Sequence, residues 1–108
     1  MLTFRFTGPA GRMTESEILV SGMVGKQGRV EFSQEWDGLQ KTAVYRAGPV
    51  LCTSENIGQE DIIPEKVLRK ALRRLYVGVC GINEDGQTVI PTVFVPGPFI
   101  HIGADGEG

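Results

Sequence analysis

Leu2, Phe4 and Phe6 alternate with Thr3, Arg5 and Thr7, a period of two that predicts a strand buried on one side. Gly8-Pro9-Ala10-Gly11 interrupts it. A second strand is expected over residues 18–24, closed by Gly25-Lys26-Gln27-Gly28 as a hairpin turn. In a third, Val30 and Phe32 face opposite to Arg29 and Glu31. Gln40–Ala47 reads as a fourth strand and residues 49–53 as a fifth, parted by the Gly48-Pro49 turn.

One segment leaves the strand pattern. Pro64 suits a first helical position and Glu65 a helix N-terminus, while Val67, Leu68, Ala71 and Leu72 share a helical face. A short helix is therefore expected over residues 64–70. From Arg73 the period returns to two, with Leu75, Val77 and Val79 opposed to Tyr76, Gly78 and Cys80. Asn83-Glu84-Asp85-Gly86 is a hairpin signal. Residues 88–95 form the returning strand, in which Pro91 marks an edge or a bulge. A last short strand covers residues 99–102.

About seven or eight short strands with frequent turns and one small helix predict a mainly β fold, an immunoglobulin-like antiparallel β-sandwich. A single domain over 1–103 is expected, followed by a flexible, Gly-rich C-terminal tail at 104–108.

The stretch VEFSQEWDGL carries the only tryptophan, Trp36, in a segment that otherwise reads as a turn. An indole there either plugs a core the strands leave open or forms an exposed ligand platform. Asp37-Gly38 can fold the ring back over the sheet, which favours the plug, with Phe32 and Leu39 as its companion anchors. The stretch TVIPTVFVPGPFIHI holds more apolar side chains than one inward face accepts, so Ile90, Phe94 and Phe99 are candidate interface residues. The bland alternative is that the helix around Val67 and Leu68 covers that second face.

Composition narrows the choices of chemistry. At 108 residues and 41% apolar, the chain can bury a core without a metal or disulfide staple. A net charge of −2 points away from a nucleic-acid partner. No apolar run approaches the roughly 20 residues of a membrane span, so no membrane insertion is expected, and no signal-peptide core opens the chain. The basic run EKVLRKALRRLY places Lys66, Arg69, Lys70, Arg73 and Arg74 against Glu65 alone, and its plainest reading is a solvated helix face. Cys52 and Cys80 match no metal spacing and read as small buried thiols. His101 is the single histidine, pointing away from the face of Ile100 and Ile102, and a catalytic role is not expected for it. One His and two separated Cys make a poor zinc site, and Gly22-Met23-Val24-Gly25 matches no phosphate loop. No catalytic residue, metal or cofactor is therefore assigned.

FSQEWDGLQKTAVYRAG at 32–48, IIPEKVL at 62–68, LYVGVCGINEDGQTVIPT at 75–92 and IHIGA at 100–104 together resemble a known family. It is the N-terminal β-sandwich domain of tail-fibre or minor tail structural proteins of phages and prophages of Gram-positive bacteria. Where that family has a Pro-Gly turn after the Val-Leu helix, this chain has RKALRRL, which implies a longer and more basic helix. The resemblance implies a non-catalytic structural module acting in virion assembly or host attachment. Its implied partners are other tail or baseplate proteins and copies of itself. Its implied locations are the virion tail and, during assembly, the bacterial host cytoplasm. The alternative of another class is a carbohydrate-binding module that contacts a cell-wall glycan. A remote third is an enzyme joining Cys80 or Cys52 to His101.

Overall fold

The computed structural model describes residues 1–104. Two sheets pack face to face. The smaller has strand order β2-β1-β4-β7, formed by Ala10–Glu15, Thr3–Thr7, Gln27–Phe32 and Glu60–Ile62. The larger has order β3-β10-β8-β5-β6, formed by Leu19–Val20, Val95–His101, Arg74–Ile82, Gln40–Ala47 and Val50–Ser54. A short strand, β9 (Thr88–Pro91), pairs with β8 off that path. The chain is mainly β and its layers are those of a β-sandwich.

Alternation builds the space between the sheets. Leu2, Phe4, Phe6 and Val30 enter it from the smaller sheet; Ala43, Tyr45, Leu75, Val77 and Val79 enter from the larger, all buried. Val67 and Leu68, fully buried, come from the short α-helix α1 (Glu65–Leu68), which packs against β5 and β6.

One polar clasp crosses the layers. The Tyr45 hydroxyl on β5 donates to Asp61 Oδ2 on β7 at 2.6 Å, and Ser54 Oγ on β6 donates to Asp61 Oδ1 at 3.0 Å. Burial, reinforced by the hydrogen bond to Asp61 and by the carboxylate charge, raises the Tyr45 pKa well beyond the usual phenol range.

Several expectations need correction. Residues 10–15 and 60–62 are strands, where the sequence pattern predicts a break over 8–11 and no element over 60–62. The second expected strand shrinks to Leu19–Val20, and Gly25–Gly28 is no hairpin turn, because β4 already begins at Gln27. Those two strands do not pair: β3 runs parallel to β10, and β4 runs parallel to β1. The sheets are thus mixed, with these two parallel pairings set among antiparallel ones. The expected strand over 88–95 breaks at Thr92, whose amide still donates to the Val79 carbonyl but whose hydroxyl accepts from the Val79 amide.

The helix is shorter than expected. Pro64 caps it, and it ends at Leu68. The chain then turns through Leu72, at φ 64°, whose amide donates to the Ile100 carbonyl at 2.7 Å. Leu72 is thereby 67% exposed instead of lying on the apolar helical face. Of the expected tail, Ala104 lies in a turn, and residues 105–108 fall outside the described residues.

Candidate functional site: an arginine–aromatic sheet face

Trp36 is 0% exposed. The segment around it is one turn of 3-10 helix, Gln34–Trp36, anchored by the Ser33 amide donating to the Phe6 carbonyl and the Gly8 amide donating to Ser33 Oγ. Gly38, at φ 79°, reverses the chain so that the indole turns inward. The ring lies 4.9 Å from Phe32 and 6.3 Å edge-on from Phe6, centroid to centroid. It also rests over Gly81, where a Cβ would stand 3.0 Å from Trp36 Cζ3 and 2.9 Å from Leu39 Cδ1. Phe32 and Leu39 are half-buried beside it, so the three anchors meet. The indole Nε1 has no acceptor among the described residues, and Trp36 acts through apolar bulk and ring contact. A fully enclosed indole offers no face to a ligand.

The chemistry that reaches solvent lies on the far side of the larger sheet. On β5, Ala43, Tyr45 and Ala47 point inward, so Arg46 points out. On β8, Leu75, Val77 and Val79 point inward, so Arg74, Tyr76 and Gly78 point out. Register then sets the neighbours: Leu51 opposes Arg46, Arg46 opposes Tyr76, and Tyr76 opposes Pro96. Phe99 opposes Arg74, whose guanidinium carbon sits 4.6 Å from the Phe99 centroid. Arg74 Nη1 also donates to the Gly97 carbonyl at 2.8 Å, which fixes the guanidinium beneath the ring.

Phe94 precedes β10 and folds back over Gly78. A Cβ there would lie 3.5 Å from the ring, an ordinary contact distance, so the ring rests directly on the strand. Arg46 approaches the Phe94 centroid to 6.0 Å. With Leu72 and Arg73, these groups line an open hollow of about 560 Å³. Phe94 is 40% exposed and Phe99 48%.

The charge on this face is one-sided. Among the described residues, Arg46, Arg73 and Arg74 form no ion pair, while Arg5 pairs with Glu31, Arg29 with Glu60, Lys26 with Glu17 and Arg69 with Glu65. A second hollow, near Arg5, Arg29, Glu31, Phe32 and Lys41, is by contrast lined with both signs of charge.

Of the three candidate interface residues, two belong to the face. Ile90 does not: it opposes inward-facing Gly81 and packs against the core, half-buried. The helix leaves Phe94 and Phe99 uncovered, because it packs at β5 and β6. Arg46, Tyr76 and Leu72 join them on the face, and Arg73 and Arg74 lie there too, beyond the helix and not on a solvated face of it. The available signal was the alternation in β5 and β8, which already turns Arg46, Arg74 and Tyr76 outward.

The thiols and the imidazole stay apart. Cys52 and Cys80 are free and only half-buried. Cys80 opposes Thr42 and Pro91, whereas exposed His101 opposes Val20, beyond the Phe99–Arg74 pair. The seven β8 residues from Arg74 to Cys80 alone span roughly 20 Å. No group of three or more potential metal ligands gathers among the described residues. No described helix is long and apolar enough to cross a membrane. Compared with protein-family models, curated proteins and solved structures, the chain finds no match.

Proposed function

We propose that this chain is a non-catalytic structural module of a phage or prophage tail appendage, holding neighbouring proteins through the outer face of its larger sheet. The observation that carries the reading is a division of labour. Residues that bear the family resemblance, Phe32, Trp36, Leu39 and the strand Tyr76–Gly81, build the closed aromatic plug and the central strand. The exposed Arg46, Arg74, Phe94 and Phe99 present rings and guanidinium groups, the side chains that dominate protein-protein contacts. The motif thus accounts for the scaffold, and the face supplies something to dock with.

An antibody against the chain, applied to tail particles purified from the encoding strain after prophage induction, tests the reading. Gold label at the distal end of the tail is the expected result. Particles that lack the chain altogether would overturn it.

The glycan-binding alternative keeps one supporting observation, since the exposed Phe94, Phe99 and Tyr76 rings offer stacking surfaces. It has to use those rings and not Trp36. Amide NMR shifts at Tyr76 and Phe99 on titration with solubilised cell-wall glycan would favour it.

A further inference from the structure

We propose that copies of this chain join head to tail, the acidic turn between β8 and β9 of one copy seating on the arginine–aromatic face of the next. The two surfaces lie at opposite ends of β8. Its first residue, Arg74, sits in the hollow with Arg46 and Arg73. Its last residue, Ile82, leads into Asn83-Glu84-Asp85-Gly86, where both carboxylates are exposed and, among the described residues, enter no ion pair. The nine residues of β8 separate the ends by roughly 27–30 Å.

Neighbours reinforce the division. Gly38, Gln40 and Ile82 line a hollow together with Asn83, Glu84 and Gly86, and among the described residues no cation lines it. Lys41, opposite Gly81, turns its ammonium over the Phe32 ring, 5.2 Å from the centroid, and onto the Leu39 carbonyl at 3.1 Å. The chain as a whole carries −2, so three arginines without carboxylates are a concentration of charge and not a general excess. Opposite charge at two ends of one molecule fits a second copy of that molecule.

Both partners are pre-organised. Asn83 Oδ1 accepts the amides of Asp85 at 3.0 Å and Gln87 at 2.9 Å, holding the turn in one shape. Arg74 is fixed by Gly97, and Arg46 and Arg74 lie against rings. Little side-chain freedom is then lost on contact. Because the two surfaces differ, the contact is heterologous, and repeating it generates a ring or a filament according to the rotation between copies. This inference stands apart from the tail-appendage reading: self-association in a chain absent from tail particles would overturn that reading alone.

The test is light scattering on the full chain, with two charge-reversed variants. Arg46→Glu/Arg73→Glu alters the face while leaving Arg74 and its backbone bond in place. Glu84→Lys/Asp85→Lys alters the turn. The wild type should gain mass with concentration at low salt and lose that gain in about 1 M salt, where the screening length is about 3 Å. Each variant alone should associate roughly tenfold or more weakly. An equimolar mixture should associate again, since each supplies the charge the other lacks, and a merely misfolded variant would not restore it. A monomeric wild type at low salt overturns the proposal, and so does association that persists in both variants and in high salt. Capture of a synthetic polyglutamate peptide by a wild type that stays monomeric would overturn it too, assigning the face to a foreign acidic partner.

Discussion

Two aromatic clusters lie on opposite sides of the larger sheet and differ in their companions. Phe6, Phe32 and Trp36 touch one another, with the Phe6 and Phe32 rings stacked 6.0 Å apart and the indole fully enclosed. Phe94 and Phe99 touch arginines, and both remain open to water. A ring surrounded by apolar atoms stabilises by leaving water. A ring held beside a guanidinium keeps its orientation while staying available. The same residue type thus builds the scaffold on one side and a contact surface on the other.

Substitution should separate the two. The strongest effect is expected for Trp36→Ala, which empties a closed site and should cost about 3–5 kcal/mol in denaturant unfolding. An unfolding midpoint close to wild type would mean the indole is not the plug. Next comes Tyr45→Phe, which leaves Asp61 with only the Ser54 bond between the sheets and should cost about 1.5–3 kcal/mol near neutral pH. Its pH dependence has a definite sign. The folded phenol titrates above the unfolded value, so the stabilisation is complete below about pH 10 and is lost as pH rises past it. Wild type should therefore lose stability in alkali more steeply than the Phe variant; parallel curves would remove Tyr45 as the source.

Gly81→Ala should cost about 1–3 kcal/mol, because the added methyl meets Leu39 and Trp36 at 3.0 Å or less. Pairing it with Trp36→Ala sharpens the comparison: the two losses should fall short of additive, since the smaller residue frees the space the methyl needs. The smallest change is expected for Phe99→Ala, within about 1 kcal/mol on stability, with self-association at low salt reduced. A large loss of stability there would make the outer cluster part of the scaffold and erase the contrast.

The sequence reveals these regions unequally. β5 and β8 are plain in it because alternate residues are buried along most of their length, and the Asp-Gly turn after β8 follows from backbone chemistry. β2 is hidden because only Gly11 and Met13 are even half-buried in it, so it carries almost no apolar rhythm. β7 has three residues, too few for any period. The parallel pairing of β1 with β4 escapes because periodicity reports which face a residue takes and not which strand lies beside it. The outer face is half legible for the same reason. Alternation turns Arg46 and Tyr76 outward, but only register sets them side by side and brings Phe99 to Arg74.

The position of β10 has a consequence for how the chain acquires its shape. It lies between β3 and β8, inside the larger sheet, and the Gly103 amide donates to the Ser21 hydroxyl 82 residues earlier. During synthesis, β8 therefore has an unfilled flank until residue 101 is available, and Leu19 waits for Ile100. Contacts of such long sequence separation close late and slowly. A nascent chain of this protein should consequently remain protease-sensitive until β10 emerges, and then become resistant in one cooperative step.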